Sequence, residues 1–129
     1  MPRILIIEDE IPVSQMYLLK LQQKGYKVSC AYNGVEGLEL AERLKPDLII
    51  LDLLMPAMSG ETMLKAMRAT DWGSTIKVIV VTNISDDEAP ARLRLLGVNR
   101  YLIKVHYTPS QVAQCVDEVL AAKSLSNLC

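Results

Sequence analysis

Five short runs of strand-forming residues recur along this chain of 129 residues, and they constrain its fold more than any other feature. They occupy residues 3–7, 26–32, 47–53, 77–82 and 100–105. The run at 26–32 alternates its apolar residues, whereas those at 47–53 and 77–82 are apolar on both faces. A strand that is apolar on both faces lies in a sheet covered on both sides. The chain must therefore supply helices for both faces of one sheet.

Stretches with helical spacing of apolar residues separate these runs. They cover residues 12–24, 59–69, 85–96 and 109–122, and a further one begins after the cap residue Asn33 and ends at Pro46. Five strands alternating with five helices predict a parallel, doubly wound α/β sheet with right-handed crossovers. Ligands of such sheets bind beyond the carboxyl ends of the strands, so the functional residues are expected there.

Composition narrows the class of protein. The length fits one domain, and a net charge of −1 gives no basic surface for nucleic acid or for an anionic membrane. The apolar runs are too short to span a bilayer, and the N-terminus has no signal-peptide pattern. The three cysteines, at positions 30, 115 and 129, form no CxxC pair and are interpreted as reduced thiols. These features predict a cytoplasmic globular domain.

Polar residues follow or close four of the five predicted strands. Glu8 and Asp9 come after the first strand, Asp52 ends the third, Thr82 ends the fourth and Lys104 lies in the fifth. Each alone is typical of a solvated turn or a surface lysine. Because parallel strands bring their carboxyl ends to one edge of the sheet, the five side chains are expected to converge there.

The chemistry of this set indicates phosphoryl transfer. Adjacent carboxylates repel one another unless a cation neutralises them, and hard oxygen ligands in this number suit Mg²⁺. A carboxylate can act as a nucleophile and form an acyl phosphate. Asp52 is therefore the candidate nucleophile, with Glu8 and Asp9 as metal ligands, and with Lys104 and Thr82 holding the phosphoryl oxygens.

Four segments resemble the receiver domain of two-component response regulators. They are ILIIEDE (residues 4–10), ILDLLMPAMSG (50–60), VIVVTN (78–83) and YLIK (101–104), and the resemblance extends from residue 3 to about residue 122. It implies a flavodoxin-like (CheY-like) fold of five helices around a five-stranded sheet in the order 2-1-3-4-5.

The same resemblance implies roles for single residues. Asp52 would accept a phosphoryl group from a sensor histidine kinase or a histidine phosphotransfer protein. Mg²⁺ would bind Glu8, Asp9, Asp52 and the backbone carbonyl of Leu54. Thr82 and Tyr101 would form the switch pair, the hydroxyl moving to the phosphoryl group as the aromatic ring turns inward. Such a domain is a signalling switch that promotes its own phosphorylation and slow dephosphorylation, rather than a turnover enzyme.

The sequence departs from the family pattern at two places, and two further residues bear on the lifetime of the phosphoryl group. Val105 replaces the proline that usually follows the lysine, so a trans Lys104–Val105 bond is expected. Asn83 replaces the usual small residue after the threonine. Leu54 and Ile84, which would flank the path of the hydrolytic water, offer it no side-chain hydrogen bond, and this predicts slow loss of the phosphoryl group.

The predicted organisation is a receiver domain over residues 1–123 and a short tail over 124–129. Output would pass to a protein effector or a separate domain through a docking face built from the fourth helix, fifth strand and fifth helix, without direct contact to nucleic acid or membrane. That face would carry Arg92, Arg94, Arg100, Tyr101 and Val105. Whether phosphorylation causes dimerisation stays open.

Two alternative functions are weighed beside this one. The first is a receiver-like interaction module that is never phosphorylated, which the departures at Asn83 and Val105 favour. The second is a flavodoxin-like cofactor binder. It would need a glycine- or hydroxyl-rich phosphate loop after the first strand, where this chain has EDEIPVS at residues 8–14.

Overall fold

Five strands alternate with five helices in the structure, a computed structural model that describes residues 2–84 and 91–126. The elements are β1 (Arg3–Ile7), α1 (Ile11–Gln23), β2 (Lys27–Ala31), α2 (Gly34–Leu44), β3 (Leu48–Leu51), α3 (Gly60–Arg68), β4 (Lys77–Thr82), α4 (Arg92–Leu95), β5 (Arg100–Ile103) and α5 (Pro109–Ser126). A short 3-10 turn, Lys104–His106, joins β5 to the segment before α5.

The strands form one sheet in the order β2-β1-β3-β4-β5, and all four neighbouring pairs are parallel. This confirms the predicted doubly wound architecture. The register places Ile7 beside Leu51 and Leu51 beside Val80, so the carboxyl ends of β1, β3 and β4 reach one edge together. The residues that follow β1 and β3 are consequently neighbours in space.

Apolar packing covers both faces of the sheet, as the strand composition requires. On β1, Ile4 and Ile6 pack with buried residues of α1 and α5, whereas Leu5 and Ile7 belong to the opposite cluster with residues of α2 and α3. All four of these side chains are buried. The two-residue period of a strand sends successive side chains to opposite faces, so β1 contributes to both cores at once.

Two helices begin at side-chain caps, of which Asn33 is the one that the sequence indicates. The Asn33 side chain accepts a hydrogen bond from the backbone N–H of Glu36 at 2.8 Å, and the Glu36 carboxylate accepts one from the N–H of Tyr32 at 2.8 Å. Ser59 caps α3 in the same way, accepting from Thr62 N–H at 3.2 Å. Each cap satisfies a backbone donor that the first helical turn leaves unpaired.

Several predicted boundaries differ from the structure. The third strand covers only Leu48–Leu51, and the fifth ends at Ile103 because Lys104 begins the 3-10 turn. The last helix extends to Ser126, four residues beyond the prediction. Of the predicted fourth helix, Arg92–Leu95 is helical, and residues 85–90 lie outside the described part of the chain.

Three smaller observations concern expectations from the sequence. These residues contain no cis peptide bond, so Lys104–Val105 is trans. Cys30 and Cys115 are free thiols, whereas Cys129 lies outside the described chain. Among the helices that the structure describes, none has the length and apolar character needed to cross a bilayer.

The carboxyl end of α4 is held by an arginine from α3. The guanidinium of Arg68 donates to the backbone carbonyl oxygens of Leu96 at 2.6 Å, Gly73 at 2.8 Å and Gly97 at 3.2 Å. Carbonyl groups at the carboxyl end of a helix lack donors within the helix. The guanidinium supplies donors to those of Leu96 and Gly97, and its bond to Gly73 ties them to the loop after α3.

Candidate functional site

Buried polar side chains mark the carboxyl edge of the sheet. Among the described residues, only four polar or charged residues are buried: Glu8, Ser14, Asp52 and Thr82. Three of the four are the predicted site residues, with relative exposures of 2% for Glu8, 4% for Asp52 and 0% for Thr82. Burying a carboxylate is costly unless it is paired, so this arrangement requires a specific cation partner.

The backbone around Asp52 is held by neighbouring elements. The Asp52 N–H extends the ladder between β1 and β3 by donating to the carbonyl of Ile7 at 3.0 Å, and the N–H of Leu54 donates to Asp52 Oδ1 at 3.2 Å. Gly60 lets α3 approach closely, since a Cβ there would lie 2.2 Å from the Asp52 carbonyl oxygen. The carboxylate is thus fixed at the start of a loop that α3 presses against β3.

Lys104 is the cation partner. Its ammonium nitrogen lies 2.7 Å from Glu8 Oε1 and 3.2 Å from Asp52 Oδ2, and its side chain is only 12% exposed. A third carboxylate, that of Glu10, approaches the same nitrogen at 3.3 Å. The expected convergence of Glu8, Asp52 and Lys104 is therefore observed, with Glu10 added to it.

Two ionisation equilibria are displaced in this cluster. Burial, with a smaller contribution from the Asp52 charge, raises the pKa of Glu8 to about 7, although hydrogen bonds from Lys104 and from the Glu10 N–H oppose the shift. Burial works against the ammonium of Lys104, but the carboxylates of Glu8 and Asp52 outweigh it and raise the pKa of Lys104 above its usual range. The lysine is therefore a permanent cation at neutral pH.

The acidic side chains also form a pocket that could bind a metal ion. Glu8, Asp9 and Asp52 each offer a carboxylate oxygen, and these oxygens lie within 4.8 Å of one another. Asp9 is partly exposed, which leaves one side of the pocket open to solvent. Three hard oxygen donors with an open side fit a divalent cation that keeps some of its water.

Thr82 and Tyr101 both contact the residue two positions after Thr82. The Ile84 N–H approaches Thr82 Oγ1 at 3.5 Å, and the Tyr101 hydroxyl donates to the Ile84 carbonyl at 2.8 Å. Tyr101 is half-buried, and its ring packs against the core on the α2–α3 side of the sheet. The predicted switch pair is therefore linked through a single peptide segment.

The remaining predicted residues surround this centre. The Leu54 side chain is 59% exposed, Val105 is exposed and Ile84 is partly buried. On the predicted docking face Arg94 is exposed, and Arg100 pairs with Glu118 of α5 at 3.1 Å. The Arg92 side chain lies outside the described part of the structure.

Glu10 has a contact that sequence reasoning misses. It stands last in a run of three acids, where the simplest interpretation is a solvated residue before a helix. Its contact with Lys104 depends on how α1 leaves β1 and on where the chain turns after β5. Neither is encoded in the spacing of Glu10 and Lys104, which lie 94 positions apart.

Comparison with known proteins identifies the family. A family model described as the response regulator receiver domain matches residues 4–117. The chain is 32% identical over 123 residues to hybrid signal transduction histidine kinase D of Dictyostelium discoideum. This alignment covers 95% of this chain and 8% of that protein. The chain is 36% identical over 104 residues to the DNA-binding dual master transcriptional regulator RpaA of Synechocystis, covering 81% of this chain and 43% of that protein.

Solved structures agree with this assignment. The chemotaxis protein CheY4 of Vibrio cholerae superposes with a TM-score of 0.84 at 28% identity, covering 92% of this chain and 98% of that one. A CheY-like receiver domain protein from Methanospirillum hungatei gives 0.86 at 25% identity, covering 98% of both chains.

The chain therefore belongs to the response regulator receiver family, the phosphoacceptor domains of two-component signalling. It spans less than half the length of the two curated relatives above, which carry further segments.

Proposed function

We propose that Asp52 takes a phosphoryl group from a phosphohistidine of a sensor kinase or phosphotransfer protein. An Asp52 carboxylate oxygen forms a bond to phosphorus while the N–P bond of the donor breaks, and the imidazole leaves with the electron pair. The observation that carries this assignment is the buried Asp52 carboxylate at the end of β3, 3.2 Å from the Lys104 ammonium. A fixed, desolvated carboxylate beside a cation suits an in-line nucleophile.

The acidic pocket is proposed to hold Mg²⁺. The ligands would be the carboxylates of Glu8, Asp9 and Asp52 together with the backbone carbonyl of Leu54. When bound, Mg²⁺ neutralises charge on the phosphoryl oxygens and on the surrounding carboxylates. The donor set supports this choice because Mg²⁺ prefers oxygen ligands and shares its coordination sphere with phosphate.

Lys104 and Thr82 stabilise the transferred group in this proposal. Lys104 already contacts Asp52 Oδ2, so its ammonium can donate to an oxygen of a phosphoryl group attached there. The Thr82 hydroxyl would turn from its contact with Ile84 toward the phosphoryl group. Because Tyr101 bonds to the carbonyl of the same Ile84, a change at Thr82 reaches the aromatic ring through one residue.

The proposed output is altered docking of a protein effector or of a separate domain. The docking face comprises α4, β5 and α5, and its described members Arg94, Arg100, Tyr101 and Val105 are exposed or half-buried. The names of the relatives, a hybrid histidine kinase and a transcriptional regulator, support kinase and effector partners in general. With partners of this kind, the proposed location is the cytoplasm.

Phosphorylation of Asp52 is tested by incubating the protein with Mg²⁺ and acetyl phosphate and measuring intact mass. We expect one added phosphoryl group in the wild type, none in Asp52→Asn, and loss of the adduct when EDTA is included from the start. Asp71→Asn is the matched control, because Asp71 is exposed after α3, away from the acidic pocket.

Asp71→Asn should gain the same adduct as the wild type. An adduct that persists in Asp52→Asn would refute Asp52 as the acceptor. If the folded wild type gains no adduct, and beryllofluoride also leaves its spectrum unchanged, the result would favour an interaction module that works without phosphorylation.

A further inference from the structure

Glu10 adds a fourth carboxylate to the rim of the acidic pocket. Its Oε1 atom lies 3.3 Å from Lys104 Nζ, and its side chain is 58% exposed. Its backbone N–H donates to Glu8 Oε2 at 3.1 Å, which fixes the peptide from which this side chain extends. The contact therefore joins the residue before α1 to the residue after β5 across the mouth of the site.

The Lys104 ammonium has no hydrogen-bond donor to spare in this arrangement. An ammonium group carries three N–H donors, and three carboxylates lie around it: Glu8 at 2.7 Å, Asp52 at 3.2 Å and Glu10 at 3.3 Å. To donate to a phosphoryl oxygen, Lys104 must give up at least one of these contacts. Glu8 is buried and Asp52 is the proposed attachment point, so the contact with the solvent-exposed Glu10 is the one that costs least to release.

We propose that Glu10 is a positioning residue that holds Lys104 in the unphosphorylated state and thereby slows phosphoryl transfer to Asp52. This inference rests on the proposed function. Glu10 acts by occupying an ammonium donor that the incoming phosphoryl group needs.

The test compares rates of adduct formation with acetyl phosphate and Mg²⁺, followed by intact mass, in the wild type, Glu10→Gln, Glu10→Asp and Glu42→Gln. Glu10→Gln should react about two to five times faster than the wild type, as expected for releasing one partly exposed ion pair. Glu10→Asp keeps the charge but shortens the side chain, so its rate should lie close to that of Glu10→Gln. Glu42→Gln removes an exposed carboxylate near the far end of α2 and should match the wild type.

The dependence of the reaction rate on ionic strength is a second readout. A purely structural effect of the substitution would not change with salt concentration. The rate gap between Glu10→Gln and the wild type should narrow in concentrated salt, because screening weakens the exposed pair. Equal rates for the wild type and Glu10→Gln, or a slower Glu10→Gln, would overturn the inference while leaving Asp52 as the acceptor. A Glu10→Asp rate equal to that of the wild type would also overturn it. If no variant gains an adduct although all are folded, the proposed function itself fails.

Discussion

Leu54 is the residue to which we assign control over the lifetime of the phosphorylated state. It lies two positions after Asp52 and its side chain is 59% exposed. By the family resemblance it would border the route by which water reaches the acyl phosphate. An aliphatic side chain can neither orient nor activate that water. Ile84, also aliphatic and partly buried, lies two positions after Thr82, the last residue of β4.

Replacing Leu54 by asparagine is expected to shorten the half-life of the phosphorylated protein severalfold. The amide would give the attacking water a hydrogen-bond partner beside Asp52. The half-life is measured by intact mass after removal of the phosphodonor. Leu19→Asn is the matched control, since Leu19 is similarly exposed but lies on α1, and its half-life should not change. A wild-type half-life of only seconds at neutral pH would contradict the predicted slow hydrolysis.

Residue types alone indicate the reactive centre but not its complete set of contacts. Asp52 and Thr82 can be predicted because parallel strands bring the polar residues at their carboxyl ends to one edge of the sheet, where the set as a whole indicates a site. The contact between Glu10 and Lys104 cannot be predicted in this way, because two flexible side chains meet only after α1 and the 3-10 turn have been placed. Its prediction would require the tertiary structure.

At the scale of elements, one ionic cluster ties α5 to the segment between α1 and β2. Asp117 accepts hydrogen bonds from Lys24 Nζ at 2.7 Å and from the Tyr26 hydroxyl. Partial burial opposes ionisation of Asp117, but these hydrogen bonds outweigh it and lower the pKa of its carboxyl. Burial and the neighbouring carboxylate raise the pKa of Tyr26 to about 12, so the phenol remains a donor throughout the neutral range.

Asp117→Asn should therefore lower the free energy of unfolding at pH 7, and the difference from the wild type should shrink as the pH falls below 3.8. A carboxyl whose pKa is lower in the folded protein stabilises the fold above its unfolded value of 3.8 and loses that contribution as the pH falls through the folded value. The effect should stay below about 1 kcal/mol, because both members of the Lys24–Asp117 pair are about 40% exposed.

Urea unfolding of both proteins between pH 7 and pH 3 measures this difference. The exposed Asp71→Asn serves as control and should show no comparable pH-dependent difference. A gap between Asp117→Asn and the wild type that stays constant over the whole range would mean that the carboxylate charge is not responsible.

Elements are predictable where their own residues determine them. Asn33 and Ser59 mark the starts of α2 and α3 because a cap is a local contact. Local residues do not determine the end of β5, because Lys104 leaves the strand to reach the acidic pocket. The contact between Arg68 and the end of α4 cannot be predicted from the sequence either, because its partners are backbone carbonyls, which any sequence would provide.

At the scale of the whole molecule, metal binding should couple to folding. Any ligand that binds only the folded state raises its stability, and at a hundredfold excess over Kd the gain is about 2.7 kcal/mol. For a chain of this size, Mg²⁺ at that excess should raise Tm by roughly 5 to 10 °C. We expect the ion to bind in the pocket of Glu8, Asp9 and Asp52, so the stabilisation should arise there.

Asp9→Asn should abolish most of the rise in Tm, because it removes a proposed ligand that is partly exposed and carries little of the core packing. Thermal unfolding with Mg²⁺ and with EDTA gives the comparison, and Asp71→Asn should keep the full wild-type response. An equal rise in Asp9→Asn would indicate that the ion binds somewhere else.

The overall architecture could be predicted almost completely because it follows from a repeated pattern. Strands apolar on both faces require two helical layers, and short crossovers leave few topologies. The order β2-β1-β3-β4-β5 then follows from the family resemblance and is confirmed.

The alternation of β3 between the two cores has a consequence for how this chain tolerates change. Ile50 packs on one side of the sheet and Ile49 with Leu51 on the other, and Asp52 follows directly. Losing one residue from β3 would exchange the two faces and turn the acceptor carboxylate away from its pocket. A one-residue deletion in β3 would therefore damage the fold and the chemistry together, whereas a substitution would alter only one position.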